Sequence, residues 1–166
     1  MPEARKRARL AAVLAAVLAL SAAAPMAAPA PPAATAPLAP GELRVAVTGL
    51  HDRQGWLSVL VFDRAEGFPH DAEQAAHRQR CRLSDAPAAA TLVFHFTDLA
   101  PGRYAVVALH DANGNRRLDT GLFGKPREPI GASNNPAMRF GPPRFDRAAF
   151  TLPAEGAAID IALRGF

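Results

Sequence analysis

The feature that most constrains this chain is a series of seven short apolar runs separated by turn-forming residues. The runs cover residues 42–50, 56–62, 80–84, 91–97, 103–111, 148–152 and 157–166. In 91–97 the apolar residues alternate with others, so Leu92, Phe94 and Phe96 share one face of an extended strand. The 12 Gly and 16 Pro residues of the chain supply turns between such runs. The pattern predicts an all-β protein, a seven-stranded antiparallel sandwich.

The first 24 residues have the organisation of a secretory signal peptide. A basic segment, RKRAR, precedes the apolar run LAAVLAAVLAL at 10–20 and the small residues SAAA at 21–24. A membrane-spanning helix needs about 20 apolar residues, and Pro25 follows too early for one. We therefore expect a periplasmic or secreted protein with no membrane span after cleavage. Residues 25–40, rich in Pro and Ala, are predicted to be a spacer, and 41–166 a single domain.

The basic charge of the chain is concentrated in this leader. The formal net charge is +4, but four of the 19 basic residues and one of the 15 acidic residues lie within the first ten positions. The remainder is close to neutral. The composition therefore gives no reason to expect a nucleic-acid partner.

One long segment, residues 111–147, shows neither a strand nor a helix pattern. Loops of this length in a compact domain are usually functional unless they are disordered. The segment contains apolar residues that we expect to fold back over the sandwich: Leu118, Leu122, Phe123, Ile130, Met138, Phe140 and Phe145.

The start of this loop has the ligand spacing of a calcium site. Oxygen-bearing side chains occur at Asp111, Asn113, Asn115 and Asp119, and the carbonyl of Arg117 falls between them. An EF-hand loop uses oxygens at equivalent spacing but ends with a bidentate Glu, where this chain has Leu122. We therefore expect weak, structural calcium binding and no other cofactor. The alternative is a metal-free loop in which the Asp and Asn side chains cap their own turns.

A second candidate site lies further along the loop. Asn134, Asn135, Arg139 and Phe140 combine amides, a guanidinium and an aromatic ring, which suits recognition of a polar ligand. The alternative is that Phe140 and Phe145 fill the core while prolines stiffen the loop.

No motif for nucleophilic, zinc-dependent or nucleotide chemistry occurs in the chain. Cys81 is the only cysteine and is interpreted as a small apolar core residue. We therefore expect no enzyme. The favoured hypotheses are a binding module that recognises an envelope protein or a polar ligand, and a structural domain that packs on a partner through an edge strand. The remaining alternative is a small-substrate hydrolase with a pocket under the 111–147 loop.

Several stretches together resemble a bacterial exported family, domain of unknown function 2141. They are VTGL, VFDRAEGFP, DLAPGRYAV, HDANGNRRLDT, GKP and SNNPAMRFGPPRFDRAAFTL, in order over about residues 42–166. The resemblance implies an envelope-localised β domain without an established activity. The DLAPGRY turn is also similar to that of transthyretin-like and carboxypeptidase-regulatory-like sandwiches, which implies an immunoglobulin-like or transthyretin-like topology. The chain lacks the Tyr-Arg-Gly-Ser tail of transthyretin-like hydrolases, since it ends in Leu163, Arg164, Gly165 and Phe166.

Overall fold

The computed structural model describes residues 37–115, 119, 121, 127–138 and 141–165. The predicted signal peptide, residues 25–36 of the predicted spacer, and Arg117, Arg139 and Phe140 lie outside the described residues. In chain order the elements are β1 (Leu43–Thr48), β2 (Trp56–Phe62), β3 (His77–Arg82), β4 (Leu92–Phe96), β5 (Gly102–Asp111), β6 (Ile130–Ala132), α1 (Phe145–Ala148), β7 (Phe150–Leu152) and β8 (Ala157–Ala162). Nearly all of the regular structure is therefore β, as the alternating runs predict.

The strands form two sheets. The first has the order β4-β1-β8, with β4 antiparallel and β8 parallel to β1. The second has the order β3-β2-β5-β6, and β7 pairs with the first residues of β5. The ten-residue strand β5 therefore has β2 along one edge and shares its other edge between β7 and β6.

The main core consists of the side chains that the two sheets turn toward each other. It includes every second residue of the central strands: Leu43, Val45 and Val47 of β1, Leu57, Val59 and Val61 of β2, and Tyr104, Val106 and Ala108 of β5. Leu92, Phe94 and Phe96 of β4 belong to the same cluster, so the predicted face of this strand is confirmed. Alternation along each strand is what allows a single face to be buried in this way.

A second apolar cluster covers the outer face of the larger sheet. Leu60, Phe62, Ala105 and Val107 point away from the main core, and Ile130, Ala132, Phe145 and Ala148 pack on them. The Phe68 ring contacts Phe62 and Phe145 edge-to-face, at centroid distances of 5.3 and 5.8 Å. Of the loop residues expected to fold back, Ile130, Met138 and Phe145 lie in or against this cluster. Phe140 and the three others are outside the described residues.

The structure differs from the predicted sandwich in three respects. It has eight strands rather than seven, because the segment expected to lack regular structure contains β6 and the single-turn helix α1. One strand pair, β1 with β8, is parallel. β3 begins at His77, three residues earlier than expected. The last residues of the predicted spacer also contact the domain, since the Arg44 guanidinium donates a hydrogen bond to the carbonyl of Pro37.

Candidate functional site

The predicted calcium loop begins at the end of the central strand β5. Asp111 is its last residue, is fully buried, and lies opposite Trp56 of β2. Its Oδ1 accepts hydrogen bonds from the main-chain N–H groups of Gly114 and Asn115, at 2.7 and 3.1 Å. Because the carboxylate closes the first turn of the loop itself, Asp111 holds this turn in place.

Arg80 provides a counter-charge for Asp111. Its guanidinium donates to Oδ2 of Asp111 at 2.6 Å and lies over the ring of Trp56, 4.3 Å from the centroid. The stacked ring and the carboxylate together orient the planar guanidinium. Neither Arg80 nor Trp56 was a candidate from the sequence, because only the pairing of β2 with β3 and β5 brings them to Asp111.

The remaining predicted ligands that the structure describes converge on Asp119. The side-chain amides of Asn113 and Asn115 donate to its two carboxylate oxygens, at 2.6 and 2.8 Å. The side-chain oxygen Oδ1 of Asn113 accepts the main-chain N–H of Asn115 at 2.9 Å. The spacing in the sequence thus brings Asp111, Asn113, Asn115 and Asp119 to one loop, where the side chains bond to each other and to the main chain.

A third carboxylate, Glu128, reaches the same loop from the segment before β6. It is 6% exposed and accepts the main-chain N–H groups of Ala112 and Asp119, at 3.1 and 3.2 Å. Burial raises the pKa of Glu128, and the charges of Asp111 and Asp119 add to this effect. The EF-hand spacing does not predict Glu128, because it places the acidic ligand at residue 122. A usable signal existed, since Glu128 is the only acidic residue between Asp119 and Asp146.

The loop geometry bears on metal binding in two ways. Three carboxylates and two amides lie at one end of the larger sheet, which is a donor set that calcium accepts. Within the described ranges, however, no three His, Cys, Asp or Glu side chains are already arranged around a common point. A calcium ion would require the Asn113 and Asn115 amides to turn their oxygens toward it, displacing the N–H groups that now face Asp119.

The predicted polar-ligand residues have structural hydrogen bonds. The Asn134 amide donates to the carbonyl of Ala149 at 2.9 Å. The Asn135 amide donates to the carbonyl of Asp160 at 2.9 Å, and its oxygen accepts the N–H of Ala162 at 2.8 Å. Both asparagines have positive φ, +63° and +44°, a conformation that Asn tolerates better than most residues. These contacts favour the structural alternative for this pair. Arg139 and Phe140 are outside the described residues.

The hydrolase alternative requires a cavity beneath the 111–147 loop. One cavity of the structure lies elsewhere, against β3, β4 and the segment between them. His110 forms a pair with an acid near the loop, 3.5 Å from Asp52, but it is 1% exposed and its Nε2 donates to the carbonyl of Gln54. A side chain so buried is not accessible to a substrate. His110 and Asp52 therefore do not form an accessible histidine–acid pair.

Comparison with known proteins assigns the chain to a family. The family model described as an uncharacterised protein conserved in bacteria, DUF2141, matches residues 45–160. The chain belongs to this family. The match begins in β1 and ends in β8, so it spans the sandwich and the whole β5–β6 connection. No curated protein and no solved structure matches the chain. Among the described residues, no helix has the length and apolar character needed to cross a membrane.

Proposed function

We propose that this member of the DUF2141 family is a non-catalytic binding module of the bacterial envelope whose β5–β6 connection binds calcium weakly. One observation carries the metal part of the proposal: Glu128 joins Asp111 and Asp119 at the loop, and its pKa is raised there by burial and by their charges. Arg80 pairs with Asp111, and the carboxylates of Asp119 and Glu128 add oxygen donors of the kind that a calcium ion accepts.

The proposed role of the ion is structural. Asp111 is fixed by β5, whereas Asp119 and Glu128 belong to the connection between β5 and β6. An ion shared by these three residues would tie the connection to the end of the central strand. Asn replaces Asp at two ligand positions, which lowers the charge of the site, so we expect a dissociation constant of roughly 10⁻⁴–10⁻³ M. Calcium concentrations in that range occur outside the cytosol, which agrees with the predicted export.

Thermal unfolding with calcium and with chelator tests the metal site. At a tenfold excess of calcium over its dissociation constant, binding to the folded state alone adds about 1.4 kcal/mol to the free energy of unfolding. We expect the wild-type midpoint to rise in calcium and not in the same concentration of magnesium, which dehydrates reluctantly. Equal midpoints in calcium and chelator would show that the loop is closed by its own hydrogen bonds and would overturn the metal proposal.

Asp119→Asn and Glu128→Gln are the informative variants, because each removes a charge while retaining the size of the side chain. We expect both to lose the calcium-dependent increment. Asp111→Ala should also lose it and leave the sandwich folded, but it is expected to destabilise the protein even in chelator, since Asp111 caps two main-chain N–H groups. Asp52→Asn, an exposed acid on the β1–β2 connection, is the control and should keep the increment.

Partner binding needs a separate experiment, because the binding role does not depend on the metal. We expect immobilised mature protein to retain a specific envelope protein or polar ligand from an envelope extract, and to show no turnover. If wild type and Asp119→Asn both retain the same component in chelator, the interface lies away from the β5–β6 connection. If neither immobilised protein specifically retains any component of the extract, the binding-module proposal is wrong.

A further inference from the structure

The cavity against β3 and β4 is a groove at the open side of the sandwich. It has a volume of about 440 Å³ and is lined by Cys81 and Arg82 of β3, by Leu92, Val93 and Phe94 of β4, and by Thr91 and four residues between 85 and 89. β3 and β4 are the edge strands of their respective sheets. The groove therefore opens where neither sheet has a further strand to close the core, and its walls are mainly apolar. Its volume is within the usual range for small-molecule sites, about 300–1,000 Å³.

The outer wall of the groove is fixed by Arg53. Its guanidinium donates to the carbonyls of Ala86, Pro87 and Ala89, with the Ala86 bond at 2.8 Å. These bonds hold the β3–β4 connection in place, so the groove is preformed.

The rim of the groove carries a net positive charge. Arg82 is an exposed residue of the lining, and within the described ranges neither Arg82 nor Arg53 has an acidic group at salt-bridge distance. Asp85 is the acidic residue of the lining, and it accepts a hydrogen bond from the hydroxyl of Ser84. Two guanidinium groups against one carboxylate favour an anionic ligand head.

The groove is less suited to an extended peptide. A peptide that adds a strand to β4 needs free main-chain groups along its edge. The side chain of Gln79 already donates to the carbonyl of His95 on this strand, at 2.6 Å. A flexible hydrocarbon chain needs no such groups and gains free energy from apolar burial alone.

We propose that this groove binds a monomeric single-chain aliphatic carboxylate, with its chain against Cys81, Leu92 and Phe94 and its head group at Arg82. The site is separate from the calcium loop and does not depend on it. No bond is made or broken, so the step is reversible binding.

Alkylation of Cys81 provides a local readout, because Cys81 is the only cysteine in the chain and lines the groove. The mature protein is treated with iodoacetamide in the presence of chelator, with octanoate, decanoate or dodecanoate below their micelle concentrations, and modification is followed by mass spectrometry. We expect protection of Cys81 that saturates, with affinity rising up to about fourfold per added methylene until the groove is full. Chelator throughout makes the result independent of the calcium proposal.

Arg82→Glu tests the head-group contact and Arg147→Glu, an equal change of charge on α1, is its control. We expect Arg82→Glu to weaken decanoate binding about fivefold or more. Its binding of decan-1-ol should be unchanged, and Arg147→Glu should bind decanoate as tightly as wild type does.

Unchanged alkylation of Cys81 at every chain length overturns the proposal. Protection that does not depend on chain length overturns it too, and so does protection by an acidic peptide alone. Equal decanoate affinity in the two variants overturns the assignment of Arg82.

Discussion

At the scale of single residues, Glu42 is a buried carboxylate whose charge is stabilised from several sides. Its oxygens accept the N–H of Ala39 at 2.8 Å and contact Nδ1 of His95 at 3.0 Å. The Arg44 guanidinium donates to it at 3.0 and 3.2 Å. The Ala39 bond, followed by those of His95 and Arg44, lowers the pKa of Glu42 from 4.5 to about 2.

We predict that Glu42→Gln destabilises the domain by about 2–4 kcal/mol at pH 7, because it leaves the buried Arg44 without the charge of Glu42. A carboxyl with a lowered pKa contributes its stabilisation fully above its unfolded value, near 4.5, and loses it as the pH falls toward 2. The difference between wild type and variant in urea unfolding should therefore shrink over that interval.

Asp63→Asn is the matched control for this experiment. Asp63 also has a lowered pKa, through its hydrogen bond with Arg64, but both side chains are exposed. We expect a loss of less than about 1 kcal/mol, since solvent screens exposed pairs. A Glu42→Gln effect that is the same at pH 7 and pH 2.5 would contradict the assignment of the stabilisation to the carboxylate charge.

At the scale of elements, the outer edge of β8 is held by a side chain. Asn135, just after β6, bonds the carbonyl of Asp160 and the N–H of Ala162 as a neighbouring strand would. β6 itself approaches β8 closely, since a Cβ on Gly131 would lie 2.6 Å from the Ile161 side chain. This segment therefore connects the two sheets along that side.

We predict that Asn135→Gly destabilises the domain by about 1–3 kcal/mol, because it removes two hydrogen bonds while glycine still accepts the positive φ. Hydrogen exchange should show faster exchange at the amide of Ala162. Asn134→Gly, which removes bonds from an exposed amide with the same sign of φ, should cost less and leave Ala162 protected. Equal effects of the two variants would show that Asn135 does not hold the edge.

The elements also show where sequence patterns succeed. β2 has apolar residues on both faces, which predicts a central strand, and it lies between β3 and β5. β6 was missed because three residues, Ile130–Ala132, are too few to show a period of two. All three are buried because β5 and β8 are beside them, which is information from distant parts of the chain.

At the scale of the whole molecule, the described residues all belong to one compact unit, Pro31–Phe166. The proposed binding module and the proposed calcium concentration range both assume that this unit operates outside the cytosol. Export is thus the assumption on which the biological setting rests.

We predict that the chain is exported and cleaved close to Ala23, because the basic segment, the apolar run and the small residues occur in signal-peptide order. Expression of the full chain in a bacterial host, followed by fractionation and N-terminal sequencing, tests this. A mature start near Ala24 in the envelope or medium is expected, and an uncleaved chain in the cytosol would contradict it. Deleting residues 5–9 should abolish export without affecting the domain.

The sequence by itself determined the local and periodic properties of this protein. Alternating runs identified most strands and their buried faces, because side chains in a strand point to opposite sides in turn. The spacing of Asp111, Asn113, Asn115 and Asp119 pointed to a loop in which the two asparagines bond to Asp119 and Asp111 bonds to the main chain. The tertiary structure alone decided the parallel pairing of β1 with β8, the contacts of Arg80 with Asp111 and Trp56, and the hydrogen bonds of Glu128 to the loop. It also decided the position of the groove between β3 and β4. Each of these depends on which strands become neighbours, and pairing between distant segments leaves no period or spacing in the chain from which it could be inferred.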